Sequence, residues 1–349
     1  MTIPPLEQLA WLSNQPGGTV VLSTRLRLAR NLEGHPFPAR AQPSWLEAVL
    51  ACVGTALKAE APGLGLSLVR LDRLSRLNQE LLVERHLVSP ALLTHPHARA
   101  VALRDDGTLS VMVNEEDHLR LQALLPGGDY EAAWRLVDEV DDRLEQHLDY
   151  AFDDRLGYLT ACPTNVGTGM RASAMLHLPA LNWDVWKTRA MEQIVAQIAH
   201  MGLTVRGLYG EGSQVSGNLF QVSNQVTLGN TEQEILSRVT LITDQLVSYE
   251  LGAREELRRR LGGLLEDRVW RSWGLLRHAR MMTTAEALEH LSMLRLGTDL
   301  GILPSLPPGS LNRLQVAIRP ANLQAVVGRD LEPAERDFAR ATVVREALA

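Results

Sequence analysis

The chain has 349 residues, 45% hydrophobic and 22% charged, with a formal net charge of −6, an ordinary globular composition with room for one large core or two modest ones. The negative balance argues against a general nucleic-acid binder, and two cysteines, Cys52 and Cys162, exclude a disulfide framework or a four-cysteine zinc site. No apolar run approaches the ~20 residues of a membrane span and no charged-then-apolar leader opens the chain, so the expectation is a cytoplasmic protein in a reducing compartment.

Of 35 basic residues only Lys58 and Lys187 are lysines, so an arginine counts as functional only where its local motif supports it. Residues 1–18 are polar and end in Pro16-Gly17-Gly18; β-branched content predicts a short strand over 19–22. Ser23-Thr24-Arg25-Leu26-Arg27-Leu28-Ala29-Arg30-Asn31 follows. If the strand continues, Arg25 and Arg27 share one face about 7 Å apart and repel unless an anion lies between them; a solvated strand face is the alternative. Helices are predicted over 44–60, with Ser44 as N-cap, and over 73–84, around a strand over 66–71. His86 then reads as a structural histidine at a helix end.

Strands over 99–104 and 108–113 flank Asp105-Asp106-Gly107, a hairpin signal. The second runs into Asn114-Glu115-Glu116-Asp117-His118-Leu119-Arg120. Such an acidic strand end suits a cationic partner, since a carboxylate receives a guanidinium through two parallel charge-assisted hydrogen bonds; a solvated acidic turn is the alternative. An amphipathic helix is predicted over 129–150, with Ala133, Leu136, Val137, Val140, Leu144 and Leu148 on its buried face.

Tyr158 to Pro179 reads as strand, polar glycine loop, strand. Gly167 and Gly169 permit backbone conformations closed to other residues, with amides free to face an anion, and Arg171 sits where the loop re-enters the sheet. The string is neither a Walker loop nor a dinucleotide fingerprint. A helix over 184–201 and a strand over 203–208 lead to Arg206-Gly207-Leu208-Tyr209-Gly210-Glu211-Gly212, whose glycines imply a loop able to close over a substrate. A half-buried strand is predicted over 217–228. Helices then occupy 232–251, 253–280 and 284–296; Ile235, Val239, Ile242, Leu246 and Tyr249 form a core or dimer stripe. A loop spans 304–309, short apolar segments cover 314–318 and 323–327, and a helix over 332–348 closes the chain. In it Arg336 and Arg340 lie four residues apart with Asp337 beside them, either surface charge or a receptor for a phosphate plus a guanidinium.

The run Cys162-Pro163-Thr164-Asn165-Val166-Gly167-Thr168 resembles the nucleotide loop of the phosphagen kinases, the ATP:guanidino phosphotransferases such as arginine and creatine kinase. Asn114 to Arg120 matches that family's acidic motif unchanged, and Ser23 to Arg27 resembles its Ser-Ser-Arg-x-Arg segment. The resemblance extends over nearly the whole chain through five motifs in family order. It implies an α+β fold, with a phosphagen-kinase-like catalytic domain over 1–252 built on a central, mainly antiparallel sheet flanked by helices. A C-terminal helical domain over 253–349 would serve dimerisation and phosphoarginine binding. The implied cofactors are ATP and Mg²⁺. ATP would meet Ser23, Thr24, Arg25, Leu26 and Arg27, then His86 and Arg120, then Arg171, Ala172, Ser173, Ala174 and Met175. The remaining contacts would come from Arg206, Gly207, Leu208, Tyr209, Gly210 and Glu211. The implied catalytic residues are Glu116 as principal base, Glu211 as second substrate carboxylate and Cys162 beside the guanidino group. Met170 and Tyr209 depart from the common pattern.

Small-molecule members carry a helical domain of about a hundred residues ahead of the first arginine strand, which this chain reaches by residue 19. An open guanidino pocket suits an arginine presented on another protein. Arg336-Asp337-Phe338-Ala339-Arg340-Ala341 is similar to the allosteric phosphoarginine motif of the bacterial protein arginine kinase branch, placing phosphoarginine on Arg336, Asp337, Arg340 and Ala341. The expected function is transfer of the ATP γ-phosphoryl to protein arginines, marking them for Clp-type proteolysis in the stress response. By the same resemblance the partners are protein substrates with exposed arginine, a zinc-binding activator, a heat-shock repressor, a Clp-type protease and a second copy of the chain. A small-molecule arginine kinase and a catalytically silent phosphoarginine-binding module are the alternatives.

Overall fold

A computed structural model describes residues 3–13, 20–183, 198–199, 201–207 and 216–349. The strand that begins in the Val20-Val21-Leu22 stretch runs on through both arginines as β1 (Val21–Arg30). Period-two alternation buries Leu26 and Leu28 completely, on the face opposite Arg25 and Arg27. β5 (Leu119–Pro126) lies antiparallel to it, with Arg27 opposite Gln122 and Ala29 opposite Arg120. Paired residues share a face, so Arg25, Arg27, Arg120 and Gln122 point the same way.

β2 (Leu66–Arg70), β3 (Ala100–Arg104) and β4 (Leu109–Val113) extend the sheet by antiparallel pairings. The turn between β3 and β4 places Gly107 at φ +70°, as its hairpin signal requires. With β8 (Met170–His177), β9 (Leu203–Gly207) and β10 (Leu219–Asn224), the full strand order is β2-β3-β4-β5-β1-β8-β10-β9. A separate small hairpin pairs β6 (Phe152–Asp153) with β7 (Gly157–Tyr158).

Helix α1 (Pro43–Leu64) packs on β2 and β3 through Val49, Leu50, Val53 and Leu57. It starts at Pro43 with Gln42, not Ser44, as its cap, because proline at the first position has its φ preset for a helix. It ends on left-handed Gly65. α2 spans Arg76–Glu84, capped by Ser75. α3 (Tyr130–Glu145) packs on β5 and stops short of the expected residue 150. Leu148 and Tyr150 stay buried, but Tyr150 bridges to Leu32 as extended chain.

The C-terminal part is helical. α4 (Glu232–His278) runs through Gly252, where the sequence predicts a boundary, and breaks instead at Leu261 (φ −124°, ψ 24°), beside Gly262 and Gly263. α5 (Thr284–Asp299) opens with a capping box between Thr283 and Glu286. The two short apolar segments are helices, α6 (Ser310–Ala317) and α7 (Pro320–Val327), and α8 (Pro333–Ala347) follows. The architecture is α+β, as expected. Among the described residues no helix is long and apolar enough to cross a membrane.

Two compact units result. One comprises Met1–Trp11, Ser23–Ser173 and Ser223–Thr240; the other comprises Leu12–Leu22, Ala174–Val222 and Leu241–Ala349. In the second, Leu265, Val269 and Leu276 of α4 form a core with Leu288, Leu291 and Leu294 of α5 and Val344 of α8.

Candidate active site

Strand pairing assembles the cationic half of the site. In Ser23 to Arg27, Ser23, Thr24 and Leu26 are buried, Thr24 donating to the Gly127 carbonyl (2.7 Å), and only Arg25 and Arg27 reach solvent. In Arg171 to Met175 only Arg171 does so. Ala172, Ser173, Ala174 and Met175 are buried, and the Ala172 amide donates to Asn224 Oδ1 (2.8 Å). Burial and the charge of Arg120 push the Arg25 pKa down to about 10. Burial, with the fields of Arg120, Arg25 and Arg171, pushes Arg27 well below its ordinary value. Four guanidiniums of three strands thus form one electropositive face, and Arg27 Nε has no partner among the described residues. A polyanion is the natural complement of such a face.

The acidic motif begins where β4 ends. Asn114 takes a left-handed conformation (φ +61°) held by its side-chain bonds to the Leu46 and Ala98 carbonyls, both 2.8 Å. The three acids that follow differ in role. Glu115 is buried; Arg120 Nη1 donates to both its carboxylate oxygens (2.7 and 2.6 Å) and Ser89 Oγ donates to it as well. Asp117 is buried and accepts from Asn31 Nδ2 and the Ala161 amide, each at 2.7 Å. Glu116 is exposed and has no side-chain partner among the described residues; partial desolvation and the charges of Asp117 and Glu115 raise its pKa. A lone carboxylate with raised basicity, flanked by two committed ones, can orient a guanidinium and accept its proton.

Neighbours to which the sequence reading gives no supporting role hold these groups. Arg30 is buried in phase with Leu26 and Leu28, binds Asp141 of α3 (2.5 Å), donates to the Thr168 carbonyl (2.9 Å) and stacks on Tyr158 (3.4 Å to the ring centroid). It ties the glycine loop to α3. Gln122 donates to the His86 carbonyl (2.9 Å), so the backbone of His86 adjoins the arginine face, while its ring lies edge-on to Trp11. His118 accepts from the Leu32 amide at Nδ1 (3.0 Å) and meets the Pro36 carbonyl through Nε2 (3.1 Å). That pairing fixes the neutral tautomer, and burial depresses its pKa to about 4.

The loop glycines serve close approach. A Cβ on Gly169 (φ +65°) would lie 2.6 Å from the Ala29 carbonyl, and one on Gly167 (φ +113°) 2.9 Å from the Leu228 backbone. Cys162 is half-buried, with Sγ 3.0 Å from Thr164 Oγ1. Arg206 and Gly207 end β9, whereas Leu208, Tyr209, Gly210 and Glu211 lie outside the described residues, as do residues 184–197 and 200 of the helix expected over 184–201, of which 198–199 are helical. At the C-terminus Arg340 is buried, donating to the carbonyls of Ile318 (2.9 Å) and Met282 (2.7 Å) and to Asp337 (2.5 Å). Ala341 is buried beside it, and Arg336 and Asp337 are half-exposed.

Comparison with known proteins bears on both halves of the chain. The model of the ATP:guanido phosphotransferase C-terminal catalytic domain matches residues 47–253, and that of the protein-arginine kinase McsB C-terminal domain matches residues 263–349. A protein-arginine kinase of Desulforamulus reducens is 50% identical over 97% of this chain and 95% of its own length. One from Moorella thermoacetica is 48% identical over 97% of each. Among solved structures, the duplicated taurocyamine kinase of Schistosoma mansoni with bound transition-state-analogue components aligns with a TM-score of 0.61 at 27% identity. It covers 72% of this chain and 36% of that one. Lombricine kinase shares the fold, with a TM-score of 0.59 over 72% of this chain and 71% of its own. Matched along nearly its whole length and carrying both domain types, the chain belongs to the ATP:guanidino phosphotransferase family, in its protein-arginine kinase branch.

Proposed function

We propose that this chain transfers the γ-phosphoryl group of ATP to a guanidino nitrogen of arginine residues in proteins. The observation that carries the reading is the pairing of a four-arginine face with one uncommitted carboxylate, Glu116, in an acidic motif whose other two acids are bonded. Phosphoryl transfer needs positioning and charge neutralisation more than covalent help. Arg25, Arg27, Arg120 and Arg171 hold the phosphate oxygens, joined by Arg206. Mg²⁺ arrives with the nucleotide, held by phosphates and water, and supplies further neutralisation.

A guanidinium is a poor nucleophile until it loses a proton. Glu116 orients the substrate nitrogen in line with the γ-phosphorus and takes that proton as the N–P bond forms and the bond to the ADP oxygen breaks. Glu211 aligns the other nitrogens and Cys162 borders the guanidino group. Residues 1–252 serve as the catalytic domain and 253–349 as the helical domain, with phosphoarginine read at Arg336, Asp337, Arg340 and Ala341. Marking substrates for a Clp-type protease, a heat-shock repressor as target, a zinc-binding activator, homodimerisation and a cytoplasmic location belong to this reading through the family.

The test is phosphorus-31 NMR after incubation with Mg-ATP and either an unfolded arginine-rich protein or free arginine. A phosphoramidate signal on the protein is expected. A signal on free arginine alone would move the chain to the small-molecule kinases, and none on either, with Arg336-dependent phosphoarginine binding retained, would favour a silent binding module.

A further inference from the structure

Within the second unit, the C-terminal end of α5 and the N-terminal end of α6 border an open cavity of about 190 Å³ lined by Arg295, Thr298, Asp299, Ser305, Gly309 and Ser310. Arg295 is 5% exposed. It donates from Nη2 to Asn312 Oδ1 (2.7 Å) and Gln315 Oε1 (3.3 Å), two neutral oxygens, and its buried Nε has no partner among the described residues. Ser310 Oγ, on the same wall, is likewise buried without a partner. α6 begins after left-handed Gly309 with no side-chain cap; its Ser310 amide donates to the Pro307 carbonyl (3.1 Å), and the N-terminal end of the helix lends partial positive charge to this wall. The acid on the wall, Asp299, accepts from Arg254 (3.0 Å) and its charge is shared between Arg254 and Arg295. Unmet buried donors are costly.

We propose that this cavity binds a small tetrahedral oxyanion of the phosphate class, received by Arg295 Nε, the Ser310 hydroxyl and the start of α6. Burial lowers the Arg295 pKa only to about 10, leaving it charged at neutral pH. Arg254 also bonds Glu250 (2.8 Å), whose carboxylate accepts from the amides of Ala180 (3.1 Å) and Leu181 (3.0 Å). The ion therefore joins a network that fixes the segment following β8.

The test titrates the full chain with inorganic phosphate by calorimetry against chloride at equal ionic strength, in an Arg27→Ala, Arg336→Ala background that weakens two other arginine-rich surfaces. One phosphate per chain is expected, with at least tenfold weaker binding after Arg295→Gln and severalfold weaker binding after Ser310→Ala. Absence of phosphate binding in the background, or an affinity unchanged by Ser310→Ala, overturns the proposal. Ser310→Ala decides the matter if Arg295→Gln does not fold.

Discussion

Three consecutive acids with three different surroundings give the sharpest prediction. Glu116→Gln keeps the size and shape of an exposed side chain that has no partner among the described residues, so folding stability should change by less than about 0.5 kcal/mol. Loss of a positioned general base typically removes 10²–10⁴ in rate, which raises the barrier by about 3–5 kcal/mol. The assay is steady-state ADP release with an arginine-bearing protein, beside denaturant unfolding. The expected pattern is a collapse of kcat with little change in the KM for ATP. Wild-type activity should fall on acidification through a pKa above the ordinary carboxylate value, and that limb should vanish in the variant. The neighbours behave oppositely. Asp117→Ala strands two donors, from Asn31 and Ala161, at about 1–3 kcal/mol each. Glu115→Gln leaves Arg120 among like charges without its carboxylate, and breaking such a buried pair costs about 3–5 kcal/mol. The division of roles is refuted if Glu116→Gln keeps more than a tenth of kcat while Asp117→Asn abolishes activity in a protein of unchanged stability.

Arg30→Met should cost about 3–5 kcal/mol by leaving Asp141 charged and buried; calorimetry checks this, and adding Asp141→Leu should recover much of the loss if the pair is structural. For His118 the sign follows from its depressed pKa. The unfolded chain binds a proton near pH 6.5 and the native state only near pH 4, so stability is full above 6.5 and falls by about 3 kcal/mol as pH drops through that window. His118→Asn should flatten that slope in unfolding titrations. At the C-terminus, Arg340→Met leaves the Ile318 and Met282 carbonyls and Asp337 without their donor and should lower stability by several kcal/mol. Arg336→Ala should leave stability nearly unchanged while weakening phosphoarginine binding, a contrast read by thermal unfolding beside a binding titration.

Strand alternation orders Arg25 and Arg27 on one face, but only the family resemblance joins Arg120 and Arg171 to them and favours a guanidinium receptor over a solvated turn at the acidic strand end. The supporting residues were harder to see. Arg30 falls in phase with Leu26 and Leu28, and Asp141 in phase with Val137 and Leu144 on α3. Each is a charge on an apolar face, and the two answer each other. Only the tertiary contact reveals that they are one pair. Gln122 offered no local signal, since its role depends on the register that sets it opposite Arg27. Helix limits failed where glycine was read as a terminator: Gly252 lies inside α4, and the break falls at Leu261, beside the Gly262-Gly263 pair. α6 and α7 were missed because eight residues are too few to establish a helical period.

The enclosure of the glycine loop has a consequence in time as well as in space. Its backbone lies against Ala29, Leu228 and Gly157, and Arg30 grips its Thr168 carbonyl from inside. The stretch from Gly167 to Gly169 therefore has no room to fray by itself, whereas Pro163 and Thr164 ahead of it are exposed. It opens only when the Arg30–Asp141 pair and the adjoining strands let go, a sub-global event. Its amides should exchange with deuterium as slowly as those of β1 and β8, not at the rate of a surface turn. The entropy of ordering the loop is then lost once, at folding, and does not recur with each nucleotide that binds.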